Sequence, residues 1–419
     1  MPADYEVAIV GAGAAGLAAA RALMDVGARF VLLEASGRTG GRAFTETTRF
    51  GQAWDLGCHW LHAADTNPFV PIADALGFRY RTTSTRLVRN LWLEGGWAAP
   101  EVANAAADAV DAAFDAVRAA GETGPDEPAQ AVLDRAPAGQ WADLVRHWFC
   151  LMTASPPPGI STRDFAAYRD TEFNWPVIDG YGALVRAHHA HVPVELDCPV
   201  THIDWSGGGV RLATPRGEVR ARTVIIAVPT AVLAQGRITF APHLPVSLAE
   251  AFDALRLGVA EKVAIGFDRD VFGYDERTGV TVCRSGAATV NFQILPGERP
   301  VAIGHVAGPV AGALLEDGAG ALADAVRSAL TAAFGNDIAE RVADVRATNW
   351  AGDPLIGGAY SCAVPGLAHL RARLLDTLGD RLLFAGEAAR LHDFSTCHGA
   401  HLSGIDAAGR ALRLARAAA

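Results

Sequence analysis

The pattern of apolar and polar positions is clearest at the start of the chain. Glu6-Val7-Ala8-Ile9-Val10 is a short apolar run that leads directly into Gly11-Ala12-Gly13-Ala14-Ala15-Gly16, after which Leu17, Ala18, Ala20, Leu23 and Met24 recur at helical spacing. A second apolar run, Arg29-Phe30-Val31-Leu32-Leu33, ends on Glu34. Strand, glycine turn, helix and second strand in this order predict an α/β fold with a parallel sheet. Farther on, Ala103 to Ala119 reads as an amphipathic helix, Pro125 to Pro137 as a loop, and Pro156-Pro157-Pro158-Gly159 as a rigid break. Strands return with Pro199 to Asp204, Val210 to Leu212 and Val219 to Val228, separated by Gly207-Gly208-Gly209 and Pro215-Arg216-Gly217. Several strands, a long helix from Ala311 to Phe334, and a closing helix that starts near Thr396 complete the expected elements.

The first of these elements carries chemistry. Gly11 permits a tight turn, Gly13 lets backbone approach a pyrophosphate, and Gly16 lets the helix pack close to the strand. Ala14 and Ala15 open that helix, whose unpaired N–H groups and positive dipole end favour an anion. Glu34 follows Gly16 at the distance where a carboxylate accepts ribose hydroxyls, and its charge disfavours a 2′-phosphate. The extension Glu34-Ala35-Ser36-Gly37-Arg38-Thr39-Gly40-Gly41-Arg42 separates FAD from NAD. Its glycines let the chain curl under a pyrophosphate, and Arg38 or Arg42 supplies charge-assisted hydrogen bonds to it. Ala35 and Gly41 join the cofactor-binding candidates on the same ground.

At this point the chain resembles the flavin-containing amine oxidase superfamily of monoamine, polyamine and L-amino acid oxidases. The resemblance implies an α/β protein with a Rossmann-like, three-layer FAD-binding domain and a discontinuous α+β substrate domain. The expected division gives 1–85, 195–236 and 341–419 to FAD, and 86–194 and 237–340 to the substrate. By the same resemblance Gly57, Cys58, His59 and Trp60 pass beside the flavin ring, with plain core packing as the competing reading of His59 and Trp60. Val200 lies over the adenine end, and Trp350, Gly386 and Glu387 belong to matching C-terminal segments. Cys397 and Ala400 begin the last helix, whose N–H groups face the flavin where reduction puts negative charge.

The substrate side rests on three residues. Of 36 basic side chains only Lys262 is lysine. It resembles the family lysine that holds a water against the flavin and assists reoxidation by O2; the competing reading is an exposed lysine or one paired with Glu261. Tyr360 matches one ring of the aromatic pair that flanks the amine in monoamine oxidases, whereas Thr396 stands where the second ring would be. Phe394, Trp60, Trp175 and Tyr181 are candidates to replace that ring. Ala359 stands where those enzymes carry a flavin-bonded cysteine, so FAD is expected to be noncovalent.

Composition narrows the rest. A formal charge of -10 argues against nucleic acid and weakly favours a cationic small molecule. The six cysteines show no C-x-x-C spacing, so no metal site and no disulfide framework is expected. Apolar runs too short for a bilayer, and a first strand beginning at residue 6, lead to the expectation of a cytoplasmic protein without membrane contact. A homodimer stays open. The resulting expectation is an FAD-dependent amine oxidase that takes hydride from the C–H next to an amine nitrogen and uses O2 as acceptor. An FAD-dependent desaturase or isomerase of an apolar substrate, and a flavin-binding partner without turnover, are the alternatives.

Overall fold

The computed structural model describes residues 4–82 and 90–417. Two large sheets organise them. The first has the strand order Thr239–Ala241, His202–Asp204, Val210–Thr214, Gly217–Ile226, Tyr5–Val10, Phe30–Leu33, with Leu382–Phe384 also alongside Gly217–Ile226. Tyr5–Val10 runs parallel to both of its neighbours. Covered on both faces, such strands read as continuous apolar runs, which is why they stand out in the sequence. The helices Ala14–Asp25 and Cys397–Ala417 lie together on one face, where Leu17, Leu23, Ala407 and Ala411 share a core with Val7, Ile9 and Ile225.

The second sheet has the order Val342–Ala347, Ala260–Phe267, Val301–Ala307, Val290–Leu295, Thr278–Val282, Asn90–Leu93, Gly96–Trp97. Side chains alternate across it. Val263 and Ile265 join Leu322, Val326 and Leu330 of the helix Ala319–Phe334 in one core, while Ala264 and Ile303 face the opposite side with Trp54 and Trp350. On that opposite side Lys262 pairs with His305, His305 with Asn291, and Asn291 with Thr281. Cross-strand partners share a face, so a polar rung crosses the sheet. A third, helical group, Pro100–Thr123, Ala142–Thr153 and Thr162–Ala167, packs around Val110, Val117, Trp148 and Phe149.

Two expectations need correction. The stretch from Pro125 to Pro137 contains the helix Ala129–Arg135, because its prolines sit at the ends and Ala129 and Val132 find a core. The helix expected from Ala311 to Phe334 is two, Gly308–Glu316 and Ala319–Phe334, since Gly318 at φ 105° leaves helical conformation between them. Two short strands near the expected segment limits pair with these sheets. Thr239–Ala241, beyond residue 236, pairs with His202–Asp204 of the first sheet, and Val342–Ala347, beyond residue 340, pairs with Ala260–Phe267 of the second. Short strands of this kind follow the edge they can pair with, which local composition does not reveal. The limit at 85/86 lies outside the described residues.

Candidate active site

A cavity of about 710 Å³ runs between the two sheets. One end is lined by Gly11, Gly13, Ala14, Ala15, Glu34, Ala35, Arg38, Gly41, Arg42 and Val200. Its middle is lined by Gly57, Cys58, His59, Trp60, Trp350, Gly386, Glu387, Cys397 and Ala400, and Lys262, Tyr360 and Thr396 complete the wall. Every candidate for FAD contact thus borders one space except Gly16, and so do Lys262, Tyr360 and Thr396. That glycine lies beneath the turn, where a Cβ would stand 1.8 Å from the Gly11 carbonyl oxygen.

The residues at the first end fit a dinucleotide. No side chain caps the helix Ala14–Asp25, so its first N–H groups remain available to an anion. A Cβ on Gly13 would meet nothing within 4 Å, leaving the space in front of those groups clear. Glu34 holds its own loop in place: its carboxylate accepts from the Ala12 N–H at 2.6 Å and from the Ser36 N–H at 2.9 Å. Arg38 donates to the Gly41 carbonyl at 2.8 Å and lies over the Phe44 ring, and burial pulls its guanidinium below the usual arginine value. Arg42 donates to Glu387 at 3.0 Å and to the Ala359 carbonyl at 2.6 Å. Both arginines therefore help build the wall of this end.

Lys262 enters the site from the second sheet. Its Nζ donates to the Asp55 carbonyl at 2.9 Å and the Gly57 carbonyl at 2.6 Å, bracing the loop that carries Gly57 to Trp60. No ion pair with Glu261 forms, because neighbours on a strand point to opposite faces; Glu261 instead accepts from Thr348 and the Ala351 N–H. Burial pulls the Lys262 ammonium down to about 8, against the attraction of the Asp55 carboxylate. Asp55 is fully buried and accepts from the Thr45 hydroxyl, the Tyr181 and Gly182 N–H groups and the His59 ring. Burial raises its carboxyl and holds the His59 imidazole well below its ordinary value. A carboxylate only accepts, so His59 donates from Nδ1 as a neutral ring.

Tyr360 borders the cavity and donates its hydroxyl to the Leu151 carbonyl. Thr396 uses its hydroxyl at the start of the last helix, donating to the Asp393 carbonyl at 2.6 Å and accepting from the Gly399 N–H at 3.0 Å. That is a helix cap, and the position is occupied by capping geometry rather than by a ring. Of the four aromatic candidates, Trp60 and Phe394 border the cavity. Trp175 stacks on Tyr80, and Tyr181 is buried against Phe69. Trp148, Phe114, Phe165 and Tyr168 add an aromatic wall from the helical group.

Several of these groups hang on an ion pair with no sequence signature. Arg371 is 2% exposed and grips Asp164 with two hydrogen bonds, of 2.8 and 2.7 Å. It also donates to the Ser361 hydroxyl and the Ala388 carbonyl, and lies over the Phe394 ring. Ser361 in turn donates to Glu387 at 2.6 Å. Replacing Arg371 with methionine leaves Asp164 charged and unpaired, and is expected to cost about 3 kcal/mol in denaturant unfolding. A loss below about 1 kcal/mol would show that the pair does not hold this wall.

Asp55, Asp164, Arg371 and His305 are buried polar residues of this region that sequence reasoning passed over. A signal existed for one group: Asn291, Gln293 and His305 interrupt otherwise apolar strands at period two, and all three border the cavity. No helix among the described residues is long and apolar enough to cross a membrane, and no group of histidine, cysteine or carboxylate side chains among them could hold a metal ion.

Comparison with known proteins agrees with this geometry. The chain is 28% identical over 430 residues to probable polyamine oxidase 4 of Arabidopsis thaliana, covering 96% of this chain and 86% of that protein. Its fold matches that of cyclohexylamine oxidase from Brevibacterium oxydans, with a TM-score of 0.81 at 21% identity over 98% of this chain and 99% of the other. A structure of putrescine oxidase bound to putrescine matches with a TM-score of 0.79, again at 21% identity, over 97% and 98% of the two chains. The family described as flavin containing amine oxidoreductase matches residues 14–412, and this chain belongs to it.

Proposed function

We propose that the substrate is a neutral amine with an apolar body, oxidised at the carbon next to nitrogen. The reaction class is that of the family: the protein is an FAD-dependent oxidoreductase acting on CH–NH bonds, with FAD held noncovalently. When bound, FAD would supply the hydride acceptor and the route of the electrons to O2, held by the residues of the glycine turn, Glu34 and Arg38 to Arg42. Desaturation of an apolar substrate is not favoured, since the relatives are amine oxidases.

The observation that carries the substrate class is the state of the carboxylates around the cavity. Asp164 is tied to Arg371, Glu261 to Thr348 and the Ala351 N–H, and Glu387 to Arg42. Asp170, two residues from Tyr168 of the aromatic wall, has no ion pair among the described residues; Glu34, Glu261 and Asp353 border the cavity without one as well, each accepting from backbone N–H groups. A chain of several ammonium groups needs several free counter-charges, whereas one apolar body needs the wall of Trp148, Phe165 and Phe394. Two relatives are named for polyamine and putrescine, the third for cyclohexylamine. The reading here follows the third.

In this reading Gly11 to Gly16, Glu34 and Arg38 to Arg42 hold the dinucleotide part of FAD, and Gly57 to Trp60, Val200, Trp350, Gly386, Glu387, Cys397 and Ala400 surround the rest. Lys262 acts on reoxidation, Tyr360 orients the amine, and Thr396 fixes the helix that closes the site. The first sheet with its helices then forms the FAD domain, and the second sheet with the helical group the substrate domain. Six free cysteines support a cytoplasmic location. The test is anaerobic mixing with a panel of amines while flavin absorbance is followed. Cyclohexylamine or benzylamine is expected to bleach the flavin with a second-order rate constant at least about tenfold above that of putrescine or spermine, about 1.4 kcal/mol of discrimination. The reverse order would remove the substrate class while leaving the reaction class in place.

A further inference from the structure

Arg118 borders the cavity from the helix Pro100–Thr123. Phe114, one turn before it on the same stripe, packs edge-on against Phe149 and Phe165, with ring centres 4.6 and 5.8 Å away. Three residues after it, Gly121 lets this helix close on Thr162–Ala167, since a Cβ there would stand 1.9 Å from the Thr162 carbonyl oxygen. The two contacts place Arg118 on the side of the cavity that Phe165 and Tyr168 also border.

A guanidinium stands out on this side, because Phe114, Trp148, Leu151 and Phe165 make much of that wall apolar. Arg38, Arg42 and Arg237, the other arginines bordering the cavity, each donate to a protein oxygen. Arg118 makes no hydrogen bond and no ion pair among the described residues, and its Nε is buried without a partner. The two carboxylates on the same side are engaged elsewhere: Asp164 is gripped by Arg371, and Asp170 accepts from the Glu172 N–H at 2.8 Å. Arginine keeps its charge at any working pH. A half-buried cation that borders ligand space and is unpaired by protein is left for something the cavity admits.

We propose that Arg118 is the specificity-determining residue for the end of the substrate away from the reacting carbon, favouring an amine whose apolar body ends in a carboxylate and rejecting one that ends in a second ammonium. The inference rests on the reading that the cavity takes one amine with an apolar body, and it names the charge at the other end of that body. A planar guanidinium meets a carboxylate with two parallel hydrogen bonds, whereas a second cation brought beside it finds repulsion and no free partner. Arg118 then acts on which amine is held and leaves the hydride step to the rest of the site.

Three amines that share one aromatic body test it: benzylamine, para-(aminomethyl)benzoate and para-(aminomethyl)benzylamine, whose far ends are neutral, anionic and cationic. Each is mixed anaerobically with the FAD-bound protein, and the second-order rate constant of flavin bleaching is expressed relative to that of benzylamine on the same variant. In wild type the benzoate is expected to exceed the diamine at least about tenfold. Arg118→Gln should bring that ratio to within about threefold of unity, Arg118→Glu should reverse it, and Arg118→Lys, which keeps the charge, should retain the wild-type order. Flavin absorbance of each purified variant reports that the fold and the cofactor are intact. A wild-type ratio within about threefold of unity, or the same ratio in wild type and FAD-bound Arg118→Gln, overturns this inference alone. Wild-type protein whose flavin is bleached by putrescine or spermine and by none of the three overturns the substrate reading and this inference with it.

Discussion

Replacing Lys262 with methionine slows reoxidation of the amine-reduced protein by air on the order of 10²-fold, while anaerobic reduction by the same amine changes by less than about threefold. The asymmetry follows from where the ammonium sits. It is anchored to the carbonyls of Asp55 and Gly57, so its position is fixed by the loop that borders the middle of the cavity. Oxygen must gain negative charge as it takes electrons, and a fixed cation lowers the energy of that step; the amine loses hydride without developing a negative centre. Methionine keeps the length of the stem and removes the charge.

The same residue predicts a pH dependence. Burial lowers the Lys262 ammonium to about 8, and the charges facing it are Asp55, which raises it, and Arg277, which lowers it, with the Cys58 thiol alongside and the His59 and His305 rings nearby. A cation with a lowered value is present below about 8 and disappears as pH rises through it. Reoxidation by O2 should therefore be fast and level at pH 6 to 7 and fall above about 8, and in Lys262→Met this step in the profile should be absent. A profile of the same shape in both proteins would remove Lys262 from the oxygen reaction.

Local order explains what could be read from the sequence. The glycine turn between Tyr5–Val10 and Ala14–Asp25 lies within consecutive residues whose spacing fixes their geometry, and the acid that follows it is one short helix and one strand away. Lys262 stood out because every other basic residue is arginine. What stayed hidden depends on register between distant segments. Arg371 and Asp164 are 207 residues apart, and Asp55 meets Tyr181 and Gly182 across more than a hundred. No local pattern marks such partners, since each segment alone looks like a loop with one charge. Thr396 shows the converse case: comparison with an aromatic cage made it look like a missing ring, whereas its hydrogen bonds make it the start of a helix. The pairing of the edge strands Thr239–Ala241 and Val342–Ala347 is hidden for the same reason as the ion pairs, because distant partners decide it.

Gly13→Val abolishes tight FAD binding without harming the fold, whereas Gly16→Ala harms the fold itself. The two glycines belong to one motif but answer to different neighbours. Gly13 has φ -71° and ψ -176°, an extended backbone open to any residue, and a Cβ there meets no protein atom within 4 Å. A valine at 13 therefore leaves the unfolding midpoint unchanged, and places its methyl groups in the space before the uncapped helix start. Losing about 3 kcal/mol of phosphate contacts weakens FAD on the order of 10²-fold, readable by fluorescence titration of the released flavin. At Gly16 a Cβ would lie 1.8 Å from the Gly11 oxygen, and backbone on both sides must move to admit it. Even alanine there is expected to cost about 3 kcal/mol of stability in the absence of any cofactor. Equal stability of the two variants, or undiminished FAD affinity in Gly13→Val, would contradict the division of labour in which one glycine makes room for ligand and the other for protein.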